Sequence, residues 1–148
     1  MAGVTWTDWY GDGSLLVLDI GLACCALEFE AAALRDVAAA AVPRHLVSQP
    51  AELAPSARVV VVISGTVTDR LAPAVAALVY AAEVVGGQPP TVVSFGACAT
   101  SGGPYWDSYA VTKGVDQLVK VDVYVPGCPP PPEALHAVLD QIAGRVPT

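Results

Sequence analysis

Charge is what this sequence lacks most. Charged side chains make up 14% of its 148 residues, against the roughly 25% usual in a soluble domain. Lys and Arg number seven against fourteen Asp and Glu, a formal net charge of −7. Nucleic-acid binding depends on neutralising phosphates, so no nucleic-acid partner is expected. The same balance leaves no polybasic patch for an anionic membrane surface. The N-terminus has neither a basic region nor an apolar run of signal-peptide type, so no secretory leader is expected. Long unbroken apolar runs are missing too. The longest uncharged stretch, Val84 to Trp106, is interrupted by Gly86-Gly87, Pro89-Pro90, Gly96 and Gly102-Gly103-Pro104, and does not read as a spanning helix. There is no Walker-type loop and no dinucleotide fingerprint, hence no NADH or ATP site is expected on this chain.

What is present fits one domain with a real core. The hydrophobic fraction of 54%, set beside so little charge, suggests that a partner covers part of the surface. An Ala- and Val-rich α/β domain would have the same composition. Residues 1–14, with Trp6, Trp9 and Tyr10 among Asp and Gly, read as an irregular N-terminal arm. Residues 15–148 read as the α/β domain. Leu15 to Ile20 is a β-type run, and Ala23 to about Ala41 is rich in Ala, Leu and Glu, as a helix requires. Pro43 ends that helix, and Arg44 to Ala57, with Pro50 and Pro55, reads as a loop with one short helical turn. Arg58-Val59-Val60-Val61-Val62-Ile63-Ser64 has the continuous β-branched composition of a parallel strand covered on both faces. Leu71 to about Val85 is a helix with Pro73 in its first turn, stopped by Gly86-Gly87. Thr91 to Phe95 and Val121 to Val125 are further strands. Asp107 to about Gly114 is a short helix, and Glu133 to about Ile142 the last one. This alternation predicts a single-domain α/β fold. A parallel sheet of about four strands is flanked by helices in three layers, flavodoxin-like.

Four cysteines are present, and each follows a β-type run. Cys24 and Cys25 follow Leu15 to Ile20, Cys98 follows Thr91 to Ala97, and Cys128 follows Val121 to Gly127. The spacing is C-C-x72-C-x29-C. If the runs are parallel strands, the sulfurs converge beyond their carboxyl ends, where open α/β sheets place ligands. Soft thiolates meeting there imply a metal site, with an iron–sulfur cluster leading. Structural zinc on Cys₄, ordinary buried cysteines and disulfides compete with that reading. Because three separate strand ends supply the ligands, the site forms only with the sheet, so folding and cluster binding are coupled. Gly96 and Gly127 suit close approach to a large inorganic body, and backbone N–H groups there are candidate donors to it.

At this point the residues resemble a known family, the B subunit of complex I, the proton-pumping NADH:quinone oxidoreductase, related to the small subunits of nickel–iron hydrogenases. The resemblance rests on Gly21-Leu22-Ala23-Cys24-Cys25-Ala26-Leu27-Glu28, Gly65-Thr66-Val67-Thr68-Asp69-Arg70-Leu71-Ala72-Pro73, Ser94-Phe95-Gly96-Ala97-Cys98-Ala99, Gly102-Gly103-Pro104-Tyr105 and Val121 to Pro130, in that order. The adjacent cysteine pair points to the complex I branch, since hydrogenase small subunits space these two residues apart. The resemblance implies one [4Fe–4S] cluster on Cys24, Cys25, Cys98 and Cys128, the terminal cluster that passes electrons to quinone. It implies one subunit of a multi-subunit enzyme, not expected to be active alone, on the cytoplasmic side of the cell membrane. The implied partners are a large subunit resembling the hydrogenase large subunit, other peripheral-arm iron–sulfur subunits and membrane-arm subunits, with quinone at the subunit interface. The chain departs from the family between the first two blocks. Glu28-Phe29-Glu30-Ala31-Ala32-Ala33 stands where the family has a Met-containing segment, and the only methionine is Met1. A hydrogenase-type small subunit, or a divergent paralogue without quinone reduction, is the alternative.

Glu28 and Glu30, beside the cysteine pair, are candidates for proton coupling, with Glu28 matching the family block. Carboxylates that serve only the helix N-terminus are the plain alternative. Tyr105, Trp106 and Tyr109 fit either a partner interface or core packing. Arg70 and Lys113 are candidate donors to a partner, while His45 and His136 read as ordinary.

Overall fold

The computed structural model describes residues 6–39, 46–47 and 56–145, with side chains described at 6–34 and 56–145. The strands are β1 (Trp6–Asp8), β2 (Leu15–Gly21), β3 (Leu46–Val47), β4 (Arg58–Ser64), β5 (Thr91–Phe95) and β6 (Val123–Val125). The helices are α1 (Cys25–Ala39), α2 (Ala72–Gly86), α3 (Ala97–Ser101) and α4 (Pro132–Ala143). One sheet has the order β3-β1-β2-β4-β5-β6. β2, β4, β5 and β6 run parallel to one another, and β1 and β3 extend the sheet through antiparallel pairings beyond β2. The expected parallel sheet of about four strands is therefore the β2-β4-β5-β6 side of it.

Alternation along β4 sorts the core. Val59, Val61 and Ile63 face a cluster with Val75, Val79 and Ala82 of α2. Val60 and Val62 face a cluster with Phe29 and Ala32 of α1 and Leu135 and Leu139 of α4. Both faces of β4 are buried, which is why it carries no polar alternation. Each such valine or isoleucine contributes roughly 1.5–3 kcal/mol on burial. α2 begins with Pro73 in its first turn and ends at Gly87 with φ 68°, a left-handed C-cap. α4 presents Leu135 and Leu139 one turn apart, and the N–H of Gly144 (φ 73°) returns to the Gln141 carbonyl at 3.2 Å.

Three expectations change. The arm over residues 1–14 contains β1, paired antiparallel with β2 through Thr7↔Val17 and Asp8↔Leu16. Asp8 makes the return, its carboxylate accepting from the N–H groups of Gly11 at 3.0 Å and Gly13 at 2.9 Å. Trp6 and Trp9 are buried, and the Trp9 ring lies 5.9 Å from Phe29 and 5.5 Å from His136, centre to centre. His136 thus packs in the core layer. The helix expected over Asp107 to Gly114 is absent. That segment runs back along residues 67–69, with Asp69 N–H on the Ala110 carbonyl at 2.9 Å and Thr112 N–H on the Val67 carbonyl at 2.9 Å. Those tertiary bonds use the backbone groups that a helix would have paired internally. Of the loop expected over Arg44 to Ala57, Leu46–Val47 is strand β3, paired with β1. Pro43, His45 and most of that loop lie outside the described residues.

Candidate metal centre

The register of the parallel strands aligns their ends. Gly21 lies beside Ser64, Ser64 beside Phe95, and Phe95 beside Val125, one row across the sheet. Cys24, Cys98 and Cys128 each stand three residues beyond a member of that row, and Cys25 follows Cys24. All four thiols are therefore brought to the carboxyl edge of the sheet. Beyond β2 the chain turns into α1 and leads to β3 at one edge. Beyond β4 it turns into α2 and leads to β5 on the other side. The reversal between β2 and β4 is a topological switch point, the usual ligand site of such sheets.

Local bonds hold each cysteine. Leu27 N–H meets the Cys24 carbonyl at 3.0 Å, so Cys24 precedes the first turn of α1 while Cys25 opens it, turned inward. Cys98 lies in α3. Thr100 Oγ1 anchors that helix to β5, donating to the Gly96 carbonyl at 2.8 Å and meeting Ser94 Oγ at 3.1 Å. The Cys98 and Cys128 loops are laced together, Gly96 N–H to the Val125 carbonyl and Ala97 N–H to the Gly127 carbonyl, both at 2.8 Å. These two N–H groups are thus committed to the scaffold, which corrects the expectation that the backbone N–H at Gly96 serves a bound group. Cys25 and Cys98 are buried, Cys24 and Cys128 exposed.

The thiols sense one another. Burial pushes the Cys25 thiol up to about 12; Cys24 adds to this by its charge and by a hydrogen bond, and charge on Cys98 and Cys128 adds further. Ionising one member beside three like groups is unfavourable until a cation compensates, and coordination deprotonates a thiol outright. Among the described residues, no group of three or more His, Cys, Asp or Glu already stands at the spacing of one metal ion. The donor set itself is soft and suits iron–sulfur or zinc chemistry.

The cradle is built from glycine. A Cβ on Gly96 would fall 2.5 Å from the Cys25 sulfur, and Gly96 has φ 101° and ψ 164°, a region essentially reserved for glycine. A Cβ on Gly127, at φ 143°, would fall 2.7 Å from the Pro130 backbone. The chain thus comes very close to itself where the cysteines gather.

Glu28 sits in the first turn of α1, partly buried, and Glu30 is exposed. The group that sequence reasoning missed is Asp19. It lies in β2, five residues before Cys24, and accepts a hydrogen bond from Ser64 Oγ at 3.1 Å. Burial raises it to about 7, Ser64 opposing and the charge of Glu30 adding to the rise. A lone acid inside an apolar strand was the available signal. Tyr105, Trp106 and Tyr109 are exposed, Tyr109 at 98%, so core packing does not explain them. Lys113 folds back on its own loop, its Nζ donating to the Ser108 carbonyl at 2.6 Å and the Val111 carbonyl at 3.0 Å. Arg70 is exposed.

The chain has relatives among known proteins. It is 50% identical to the first of the NADH-quinone oxidoreductase B subunits of Salinispora tropica, over 89% of this chain and 66% of that protein. It is 50% identical to the second of the NADH-quinone oxidoreductase B subunits of Streptomyces griseus, over 86% of this chain and 51% of that protein. The chain thus spans about two thirds and about half of these relatives. Among solved structures, a chain of the membrane-bound sulfane sulfur reductase, an archaeal respiratory membrane complex, shares the fold. Its TM-score is 0.63 at 24% identity, covering 92% of this chain and 72% of that one. The model of the NADH ubiquinone oxidoreductase 20 kDa subunit family matches residues 23–142, from Ala23, just before the cysteine pair, to the end of α4, and the chain belongs to that family.

Proposed function

We propose that the chain is an electron-transfer subunit of a complex I-like NADH:quinone oxidoreductase, with one [4Fe–4S] cluster on Cys24, Cys25, Cys98 and Cys128. The observation that carries this reading is the row of strand ends, which sets the cysteines of three separate loops at one edge of the sheet. Such a cluster supplies one-electron storage, at a potential its protein surroundings set within roughly −700 to +450 mV. The protein's part is to hold and insulate. Cys25 and Cys98 provide donors from the protein side and Cys24 and Cys128 from the solvent side. The bonds between the Gly96-Ala97 and Val125–Gly127 segments fix the Cys98 and Cys128 loops at one separation. Gly96 leaves room for the Cys25 sulfur.

The exposed side of the centre suits a partner. Tyr105, Trp106 and Tyr109 follow Cys98 and stand in solvent, and Leu27, two residues after Cys25, is 71% exposed. Such side chains favour burial against another subunit. A large subunit resembling that of hydrogenases fits this face, with quinone between the two. Further peripheral-arm and membrane-arm subunits, and a position on the cytoplasmic side of the membrane, complete the proposal. Membrane attachment through those partners belongs to the same proposal; no described helix is long and apolar enough to cross a membrane.

Anaerobic purification with metal and sulfide analysis tests the reading. The expected result is a brown protein with about four irons and four labile sulfides per chain and a paramagnetic signal on reduction. Cys128→Ser should lose most of that iron. A colourless protein holding one zinc, or a Cys128→Ser variant with full iron, would overturn the assignment.

A further inference from the structure

Two helices lead away from the cysteine loops, and one side chain stands between them. α1 opens at Cys25, and Cys25, Phe29 and Ala32 lie along its buried face. α4 begins at Pro132, and the consecutive prolines Pro129 to Pro132 join it to Cys128. Each proline fixes its own φ, so that link is stiff. It is also tightly folded, since a Cβ on Gly127 would fall 2.7 Å from the Pro130 backbone. Trp9 packs against both helices. Its ring centre lies 5.9 Å from that of Phe29 on α1 and 5.5 Å from that of His136 on α4, tilted to them by 56° and 54°. Trp9, Cys25, Phe29, Val125 and Leu135 belong to one buried cluster.

The wedge is fastened from outside. The Trp9 N–H donates to the Leu15 carbonyl at 3.0 Å, which fixes it to β2. Its neighbour Tyr10 donates to the Asp140 carboxylate of α4 at 2.6 Å. The Arg145 guanidinium, just past α4, lies 3.9 Å over the Tyr10 ring and pairs with Asp12. The hairpin return is thus tied to β2 on one side and to α4 on the other.

We propose that Trp9 is a positioning residue for the metal centre: its ring sets the spacing of α1 and α4, and through them the placement of Cys25 relative to Cys128. This rests on the thiolate-centre reading above. The physical reason is packing. An indole is large and rigid, and a close-packed interior transmits a displacement rather than absorbing it. Trimming the ring leaves a cavity that its neighbours fill only in part. The neighbours here are the two helices, and the cysteine loops move with them. Trp6, three residues earlier, supplies the comparison. It is buried as deeply but belongs to the cluster on the opposite face of the sheet, with Val75 and Val79 of α2, and the described members of that cluster include no cysteine.

The test uses the purified iron-containing protein in its native assembly, with Trp9→Leu, Trp9→Phe and Trp6→Leu beside the parent. Trp9→Leu should shift and broaden the paramagnetic spectrum of the reduced centre. It should also speed the loss of iron to a chelator by on the order of 10-fold, the lower end for groups that hold a metal ligand from behind. Trp9→Phe keeps a ring between the helices and should restore most of the parent spectrum. Trp6→Leu should lower the melting temperature but leave the spectrum and the chelation rate near the parent's. Phe29→Leu thins the same contact from the α1 side and covers the case in which Trp9→Leu fails to assemble; it should shift the spectrum in the same sense. A parent-like spectrum and chelation rate in Trp9→Leu, equal changes in Trp6→Leu, or an unshifted Phe29→Leu overturns the proposal, while iron and sulfide in the parent leave the cluster reading intact. A parent protein without iron overturns both.

Discussion

Replacing Gly96 by alanine puts a methyl carbon 2.5 Å from the Cys25 sulfur, with the Gly127 carbonyl oxygen 3.7 Å away. The sulfur belongs to a buried residue at the start of α1 and has little room to move. Two costs add. The backbone at φ 101° and ψ 164° costs a side chain about 1–3 kcal/mol, and forcing a methyl group into a packed site costs about 1–3 kcal/mol more. The sum, about 2–6 kcal/mol, is a large part of the 5–15 kcal/mol typical of a domain. Gly87→Ala is the matched control. Gly87 is also left-handed, at φ 68°, but nothing lies within 4 Å of its missing Cβ. It should cost only the conformational term, about 1 kcal/mol. Urea unfolding of the two variants separates strain from collision. Thermal melts should differ by at least about 2–4 °C, on a scale of 2–4 °C per kcal/mol for a chain of this size. Iron content should also fall in Gly96→Ala alone, because its Cys25 donor is displaced. Equal losses in the two variants would refute the packing argument and with it the view that glycine shapes the cradle.

Asp19 makes stability depend on pH in a definite direction. Its folded value of about 7 lies above the ordinary 3.8, so the folded state binds the proton more tightly. Stability should therefore fall as pH rises from about 4 to 7 and level off above, by up to about 4 kcal/mol at 1.36 kcal/mol per unit. Asp19→Asn should match its parent near pH 4 and exceed it at pH 8 in denaturant titrations; parallel pH profiles would argue against a buried acid there. Glu28→Gln should leave iron content and folding unchanged but slow turnover of the assembled enzyme, and unaltered turnover would remove Glu28 from proton coupling.

Much of the fold was legible along the chain. Arg58–Ser64 is a strand at the boundaries expected, because a run buried on both faces leaves no polar alternation to confuse its ends. The helix α2 lies within a residue of expectation at both ends, since Pro73 and Gly87 mark them chemically. Where local composition and tertiary pairing disagreed, pairing prevailed. The Asp- and Gly-rich start reads as a loop, yet Asp8 uses that composition to close a hairpin and bury Trp6 and Trp9. Asp107 to Gly114 looks helical in isolation but gives its backbone to residues 67–69.

The cysteine site divides in the same way. Its candidate members stood out in sequence alone, because four cysteines each follow a strand and a chemically distinctive thiol needs no neighbour to be noticed. Their gathering at one edge required the register, which aligns Gly21, Ser64, Phe95 and Val125 so that residues far apart in the chain end level. The lone acid of β2 stands out in the sequence, but its character does not. Asp19 acquires its character from burial and from a serine 45 residues away, and the pKa of an acid is a property of its surroundings, which only the folded sheet supplies.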